Sequence, residues 1–221
     1  MVKVLDFGEV ELIDRMGDDY RILQSARVST GSSAKKGDKE DRGLIRYLYK
    51  NQHLSPFEQV QFTFRIKCPI FVARQWFRHR TFSYNEYSGR YSKMIEEMYL
   101  PENFRVQGIK NHQGSGLPIS KEKNDILKKK FENLYENILE LYNESLDLGV
   151  SRELSRIILP VSNYTEFYFT TDLRNLFHFL ELRLHEHAQM EIRVFAQAIM
   201  QILKEISELK WSVEIFEEMN E

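Results

Sequence analysis

Gln59-Val60-Gln61-Phe62-Thr63-Phe64-Arg65-Ile66-Lys67 alternates apolar and polar residues without a break. Successive side chains on a strand point to opposite faces, so Val60, Phe62, Phe64 and Ile66 make a core face and Gln61, Thr63, Arg65 and Lys67 a wet one. One solvated face is the mark of an antiparallel sheet. Immediately before this strand, His53-Leu54-Ser55-Pro56-Phe57-Glu58 reads as a turn-like break. Immediately after it, Pro69 ends the strand, and Ile70 to His79 is predicted to be a helix with Phe71, Val72, Trp76 and Phe77 inside. Arg74 and Arg78 lie one turn apart on the opposite face, beside Gln75.

Toward the N-terminus, Val2 to Leu5 and Val10 to Ile13 are short β-prone runs separated by Gly8, an opening strand or hairpin. Asp18 caps a helix with Ile22, Leu23, Ala26 and Arg27 at helical spacing, and a second helix runs from about Lys39 to Asn51 over Leu44, Ile45 and Leu48. Residues 29–37 between them are small and polar, a mobile loop and a candidate lid. Toward the C-terminus, Ser83 to Tyr91 and Pro101 to Pro118 read as loops. Ser120 to Leu148 is the longest helix, its stripe of Leu127, Phe131, Leu134, Ile138 and Leu141 fit for packing or for a second subunit. Ser151 opens a short helix that Pro160 stops, Tyr164 to Thr171 is a second strand, and Asp172 caps a helix with a stripe of Leu173, Leu176, Phe177, Leu180 and Leu184. Arg174, His178, Glu181 and His185 form its polar stripe, and Arg183 sits at the edge of the apolar one. Strands and helices in this order give an α+β fold: one domain over residues 1–221, a largely antiparallel sheet flanked by helices, with a long helix and a small helical subregion.

The chemistry is concentrated in Arg74-Gln75-Trp76-Phe77-Arg78-His79-Arg80-Thr81-Phe82-Ser83-Tyr84-Asn85-Glu86-Tyr87-Ser88-Gly89-Arg90-Tyr91. Arginine forks match phosphate oxygens and stack on rings, so a nucleotide-like ligand suits the stretch; a solvated face paired with carboxylates such as Glu86, or a nucleic-acid patch, is the alternative. A net charge of -2 counts against a general nucleic-acid binder. Arg183 demands a carboxylate or an anionic ligand, because a guanidinium at the margin of an apolar face is costly alone. The single Cys68, at the end of an apolar strand, reads as a core residue before a nucleophile. His185-Glu186-His187 places its imidazoles two apart, pointing away from each other on a helix, so no metal is expected. No glycine-rich phosphate loop or serine elbow is present. The chain has no run of eighteen apolar residues and no charged leader at Met1, and the lone cysteine fits a reducing compartment; the expectation is a cytoplasmic protein with no membrane partner. Arginines, histidines and amides bind and polarise anions, so any redox or carbon-transfer step calls for a cofactor.

Arg78-His79-Arg80, two residues, Ser83, one, Asn85, two, Ser88, one, Arg90 resembles the signature of flavin-dependent thymidylate synthases. The likeness extends to His53 to Glu58, Phe71 to Phe77, Arg152 to Pro160 and Leu180 to Glu191. The resemblance implies reductive methylation of dUMP to dTMP, with 5,10-methylenetetrahydrofolate as carbon donor, NADPH as reductant of bound FAD and no enzyme thiol. It implies cofactor contacts at Ser55, Arg78, His79, Arg80 and Glu86, with His53 nearby, and at Asp172, Arg174 and His178. Substrate contacts fall on Gln75, Arg78, Glu86, Tyr87, Ser88, Gly89, Arg90, Arg156 and Arg183, with Arg183 stabilising charge on the uracil ring. It further implies a homotetramer with active sites shared between subunits. Asp172 stands where relatives commonly have Asn, and its charge calls for a basic partner such as Arg174; Gln59 stands where a histidine is frequent.

Overall fold

The structure, a computed structural model, describes residues 1–29, 31, 36–109 and 114–220. In chain order the elements are β1 (Val2–Val4), β2 (Gly8–Met16), α1 (Asp19–Val28), α2 (Asp38–Lys50), a 3-10 turn (Ser55–Gln59), β3 (Gln61–Pro69), α3 (Ile70–Trp76), β4 (Ser83–Glu86), β5 (Arg105–Gln107), β6 (Ser115–Pro118), α4 (Lys121–Asp147), α5 (Arg152–Ser155) running into a 3-10 turn (Arg156–Ile158), β7 (Tyr164–Asp172), α6 (Leu173–Leu184), α7 (Met190–Lys204) and α8 (Lys210–Asn220). The main sheet has the order β1-β2-β3-β7-β4, with every neighbouring pair antiparallel.

The alternating stretch is the middle strand of that sheet. Val60, Phe62, Phe64 and Ile66 are buried, while Arg65 on the other face reaches Glu9, Glu11 and Glu166 from the two flanking strands. β7 lies beside β3 in unbroken register, Phe64 opposite Phe169 and Ile66 opposite Phe167. Against this aromatic face α3 and α6 lay Trp76 and Phe179, whose rings stack 4.8 Å apart, with Phe195 of α7 edge-on. Trp76 of α3 therefore joins the sheet, through Phe167 and Phe169, to α6 and α7.

Several expectations change in detail. Ser83 to Glu86 is a strand, held at the sheet edge by β7, because pairing partners rather than an apolar alternation decide it. α3 stops at Trp76, three residues short of His79; the Tyr84 hydroxyl from β4 sits 2.9 Å from the Trp76 carbonyl and 3.1 Å from that of His79, so these terminal groups are answered from the sheet. Within 101–118, β5 and β6 form a two-stranded hairpin with little buried surface, which is why its residues carry no strand pattern. Ile13 stands at the irregularity between Leu12 and Asp14 in β2 and is exposed. The candidate lid at 29–37 falls mostly outside the described residues. In α4 the predicted stripe is only half covered: Leu134 and Leu141 are exposed, whereas Asn124 and Tyr142 are buried. α7 and α8, not assigned from sequence, close the far side of the core through Ile199, Leu203, Ile215 and Phe216.

Candidate active site

The end of α3 and the end of α6 meet at His79 and Arg183. Arg183 Nε donates to His79 Nε2 at 3.1 Å, and Arg183 Nη2 donates to the Gln75 carbonyl at 3.1 Å. An imidazole nitrogen that accepts must be unprotonated, so the His79 proton resides on Nδ1. Burial, then Arg183, then His178 push the His79 pKa down to about 4, which leaves a neutral ring at physiological pH. Its ring stands edge-on to Phe179 and His178. Burial also lowers the pKa of Arg183, which stays cationic at neutral pH.

Among the described residues Arg183 meets no carboxylate, so the structural ion pair that would have explained it bluntly is missing. Arg78, Arg80 and Arg156 likewise make no ion pair among the described residues, although the chain has 33 acidic residues to 31 basic ones. By contrast Arg65, Arg105 and Arg174 are all matched. Guanidinium groups without a carboxylate partner and a neutral imidazole are groups that suit an anionic ligand.

A second group follows β4. Glu86 accepts from Thr165 Oγ1 at 2.8 Å, and the Tyr87 backbone N–H donates to the Glu166 carbonyl at 2.8 Å. Ser88 Oγ accepts from the Arg90 backbone N–H at 3.3 Å, and Arg90 lies 3.7 Å from Glu153. Gly89 is buried; a side-chain carbon there would come within 2.3 Å of Met94 Sδ and 3.1 Å of Arg156 Cδ. A side chain at residue 89 would require the Met94 and Arg156 side chains to shift. The first and second groups share no hydrogen bond, ion pair or ring contact among the described residues.

A third group lies by the 3-10 turn and the start of α6. His53 packs edge-on to Tyr47, and Ser55 is exposed at the head of the turn. Asp172 caps α6, accepting from the Asn175 backbone N–H at 2.9 Å and from its side-chain nitrogen at 2.7 Å. Arg174 pairs instead with Glu58, so the expected Asp172–Arg174 partnership does not form: a helix cap draws its carboxylate inward while Arg174 points out to the turn. Arg174 and His178 border a cavity of about 250 Å³ with Tyr49, Gln52 and Leu54.

Cys68 is fully buried in β3; burial, with Glu86 adding to it, pushes its thiol well above the ordinary range. That is the opposite of nucleophile activation. Among the described residues no cluster of ligands suits a metal. Among the described residues no helix is long and apolar enough to cross a membrane.

Residues 11–207 match the family described as thymidylate synthase complementing protein. The chain is 51% identical over 218 residues to a flavin-dependent thymidylate synthase of Thermus thermophilus, covering 98% of this chain and 78% of the relative. The chain belongs to the flavin-dependent thymidylate synthase family. Relatives of that name from Treponema denticola and Thermosipho africanus are 49% and 44% identical, covering 94% and 97% of this chain and 79% and 92% of their own. Among solved structures it resembles a UMP/dUMP methylase, PolB of Streptomyces cacaoi, bound with 5-Br dUMP: TM-score 0.87, 34% identity, 98% of this chain and 97% of that one. A second PolB structure, bound with 5-Br UMP, superposes with a TM-score of 0.86 at 33% identity, covering 96% and 95%. The family membership makes the chain a flavin-dependent enzyme, and the chemistry of the donor set is compatible with an anionic group: a neutral Nδ1–H on His79 and, among the described residues, no ion pair at Arg78 or Arg80.

Two outcomes check this site directly. In an NMR titration of the ligand-free protein the His79 ring should remain neutral down to about pH 5 and titrate near 4, and Arg183→Ala should move the transition upward by removing the neighbouring cation. The unfolded ring takes its proton near 6.5. The stability owed to the neutral ring is therefore complete above pH 6.5 and is lost as pH falls through 6.5 toward 4. Second, Cys68→Ala should keep dTMP formation within about threefold of wild type, because a buried protonated thiol is packing and not chemistry; loss of turnover in folded, flavin-loaded Cys68→Ala would revive the thiol route.

Sequence reasoning missed Tyr84, Gln189 and Glu191. Tyr84 holds the backbone of His79, and Gln189 bonds the Gln75 amide. Gln189 lay within the stretch that carries the resemblance, but no spacing rule marked it.

Proposed function

We propose that this enzyme converts dUMP to dTMP, taking the carbon from 5,10-methylenetetrahydrofolate and reducing equivalents from NADPH through bound FAD. The observation that carries the reading is the half-buried Arg183, fixed by two hydrogen bonds and matched by no carboxylate among the described residues. Those bonds occupy Nε and one hydrogen of Nη2, and they leave the remaining donors of the fork for the substrate. Donors fixed in advance stabilise charge that develops on a pyrimidine ring without reorganising. Gln75, Arg78, Glu86, Tyr87, Ser88, Gly89, Arg90 and Arg156 hold the nucleotide, the guanidinium groups answering its phosphate. Ser55, Arg78, His79, Arg80, Glu86, Arg174 and His178, with His53 and Asp172 alongside, hold the FAD. When bound and reduced, the flavin supplies the hydride that completes the methyl group.

The assembly is a homotetramer whose sites are shared. Two features support it: among the described residues the group of Glu86 to Arg90 and Arg156 shares no hydrogen bond, ion pair or ring contact with His79 and Arg183, and Leu134 and Leu141, seven residues apart, lie on an exposed face of α4. Light scattering should give about four times the 26.4 kDa chain mass.

The deciding experiment is an absorption spectrum of purified protein before and after adding FAD, then anaerobic NADPH with dUMP, UMP or neither, and a product assay with the folate. A flavin spectrum that NADPH bleaches, with dTMP formed from dUMP, is expected. Protein that stays colourless after reconstitution would remove the cofactor on which the reading depends.

A further inference from the structure

The segment joining α6 to α7 carries a polar chain that the functions assigned above do not use. Glu191, in the first turn of α7, is buried. Donors surround its carboxylate: Arg105 of β5 forms an ion pair with Oε1, the Tyr99 hydroxyl donates to the same oxygen at 3.1 Å, and Gln189 Nε2 donates to Oε2 at 2.9 Å. Burial opposes ionisation of Glu191, but Arg105 and Gln189 outweigh it and hold its carboxyl below the usual value.

An ionised carboxylate only accepts hydrogen bonds. The Gln189 amide must therefore present its nitrogen to Glu191, and its Oε1 points the other way. There it meets Gln75 Nε2. Gln75 in turn must direct an N–H toward Gln189, so its own Oε1 and second N–H stay uncommitted among the described residues. The fixed charge of Glu191 thus dictates the direction of two amides in succession. The same Gln75 offers its backbone carbonyl to Arg183, which ties this chain to the catalytic guanidinium.

We infer that Gln189 is a positioning residue: anchored by Glu191, it locks the Gln75 amide in the orientation that receives the nucleotide. The inference rests on the reading of Gln75 as a substrate contact. Gln189 itself is exposed, so replacing it empties no core.

The test is a double-mutant cycle on the FAD-loaded enzyme, with dUMP affinity read from the perturbation of the flavin spectrum and unfolding midpoints measured in parallel. Gln189→Met, which keeps the length and removes both amide bonds, should weaken dUMP binding about tenfold at an unchanged flavin content, with the midpoint lowered only by the loss of one donor to Glu191 and equally in both backgrounds. In a Gln75→Met background the same substitution should change affinity by less than about twofold, because its effect passes through Gln75. An unchanged dUMP affinity in Gln189→Met would overturn the inference. So would an equal loss in both backgrounds, the mark of an independent structural role. Wild-type enzyme that holds FAD but fails to bind dUMP would overturn the nucleotide reading itself, an outcome distinct from the other two.

Discussion

Arg183→Ala is expected to lower dTMP formation by about two to three orders of magnitude, the loss typical of removing one preorganised donor from developing charge. The fall should lie mainly in kcat, with a smaller change in KM, because the group acts most where the ring charge is greatest. Stability should move the other way or stay level. In the ligand-free protein Arg183 is half-buried beside a neutral imidazole and meets no carboxylate among the described residues, an arrangement that costs folding free energy. The variant should thus be at least as resistant to heat as wild type while nearly inactive. Arg183→Lys should recover little, since an ammonium cannot bond His79 and the Gln75 carbonyl while still presenting a fork outward. Normal turnover of folded Arg183→Ala would show that the charge is met by another group.

The largest stability effect is expected at Arg27→Leu. Arg27 of α1 and Asp41 of α2 form an ion pair in which both side chains are almost wholly buried. Removing the cation leaves a carboxylate in the protein interior, at a cost of about 3–5 kcal/mol. In a thermal scan the midpoint should fall on the order of 10 °C for a chain of this length. Arg27→Leu with Asp41→Leu should recover most of the loss, because an apolar pair of similar volume needs no solvation. The consequence reaches the site, since α1 packs on the 3-10 turn Ser55–Gln59, whose first residue is a proposed flavin contact. Flavin content of purified Arg27→Leu should therefore drop with stability and return in the double variant. A single variant as stable as wild type would mean that water reaches Asp41.

What could be read from sequence had a local cause. The alternation of β3 and β7 and the capping of α1 by Asp18 and of α6 by Asp172 each follow from a few neighbouring residues and their period. The signature from Arg78 to Arg90 marked the family because its residue types at fixed spacing are specific, and the family match bears that out. The position of Arg183 at the edge of an apolar stripe was enough to demand an explanation. Asp172 and Arg174 show the limit: they are neighbours in sequence with opposite charges, yet each finds another partner, Asn175 and Glu58.

By itself, then, the sequence determined the family and most of the strands and helices with strong periods, β3, β7, α1 and α6 among them. Only the tertiary structure made Ser83–Glu86 a strand, ended α3 at Trp76, gave His79 its tautomer and joined Glu191 through Gln189 to Gln75. The reason is physical: periodicity records which face of an element is buried, whereas the direction of a hydrogen bond depends on which group stands opposite. For His79 and Arg183 that group lies 104 residues away along the chain, and for Gln75 and Gln189 it lies 114 away.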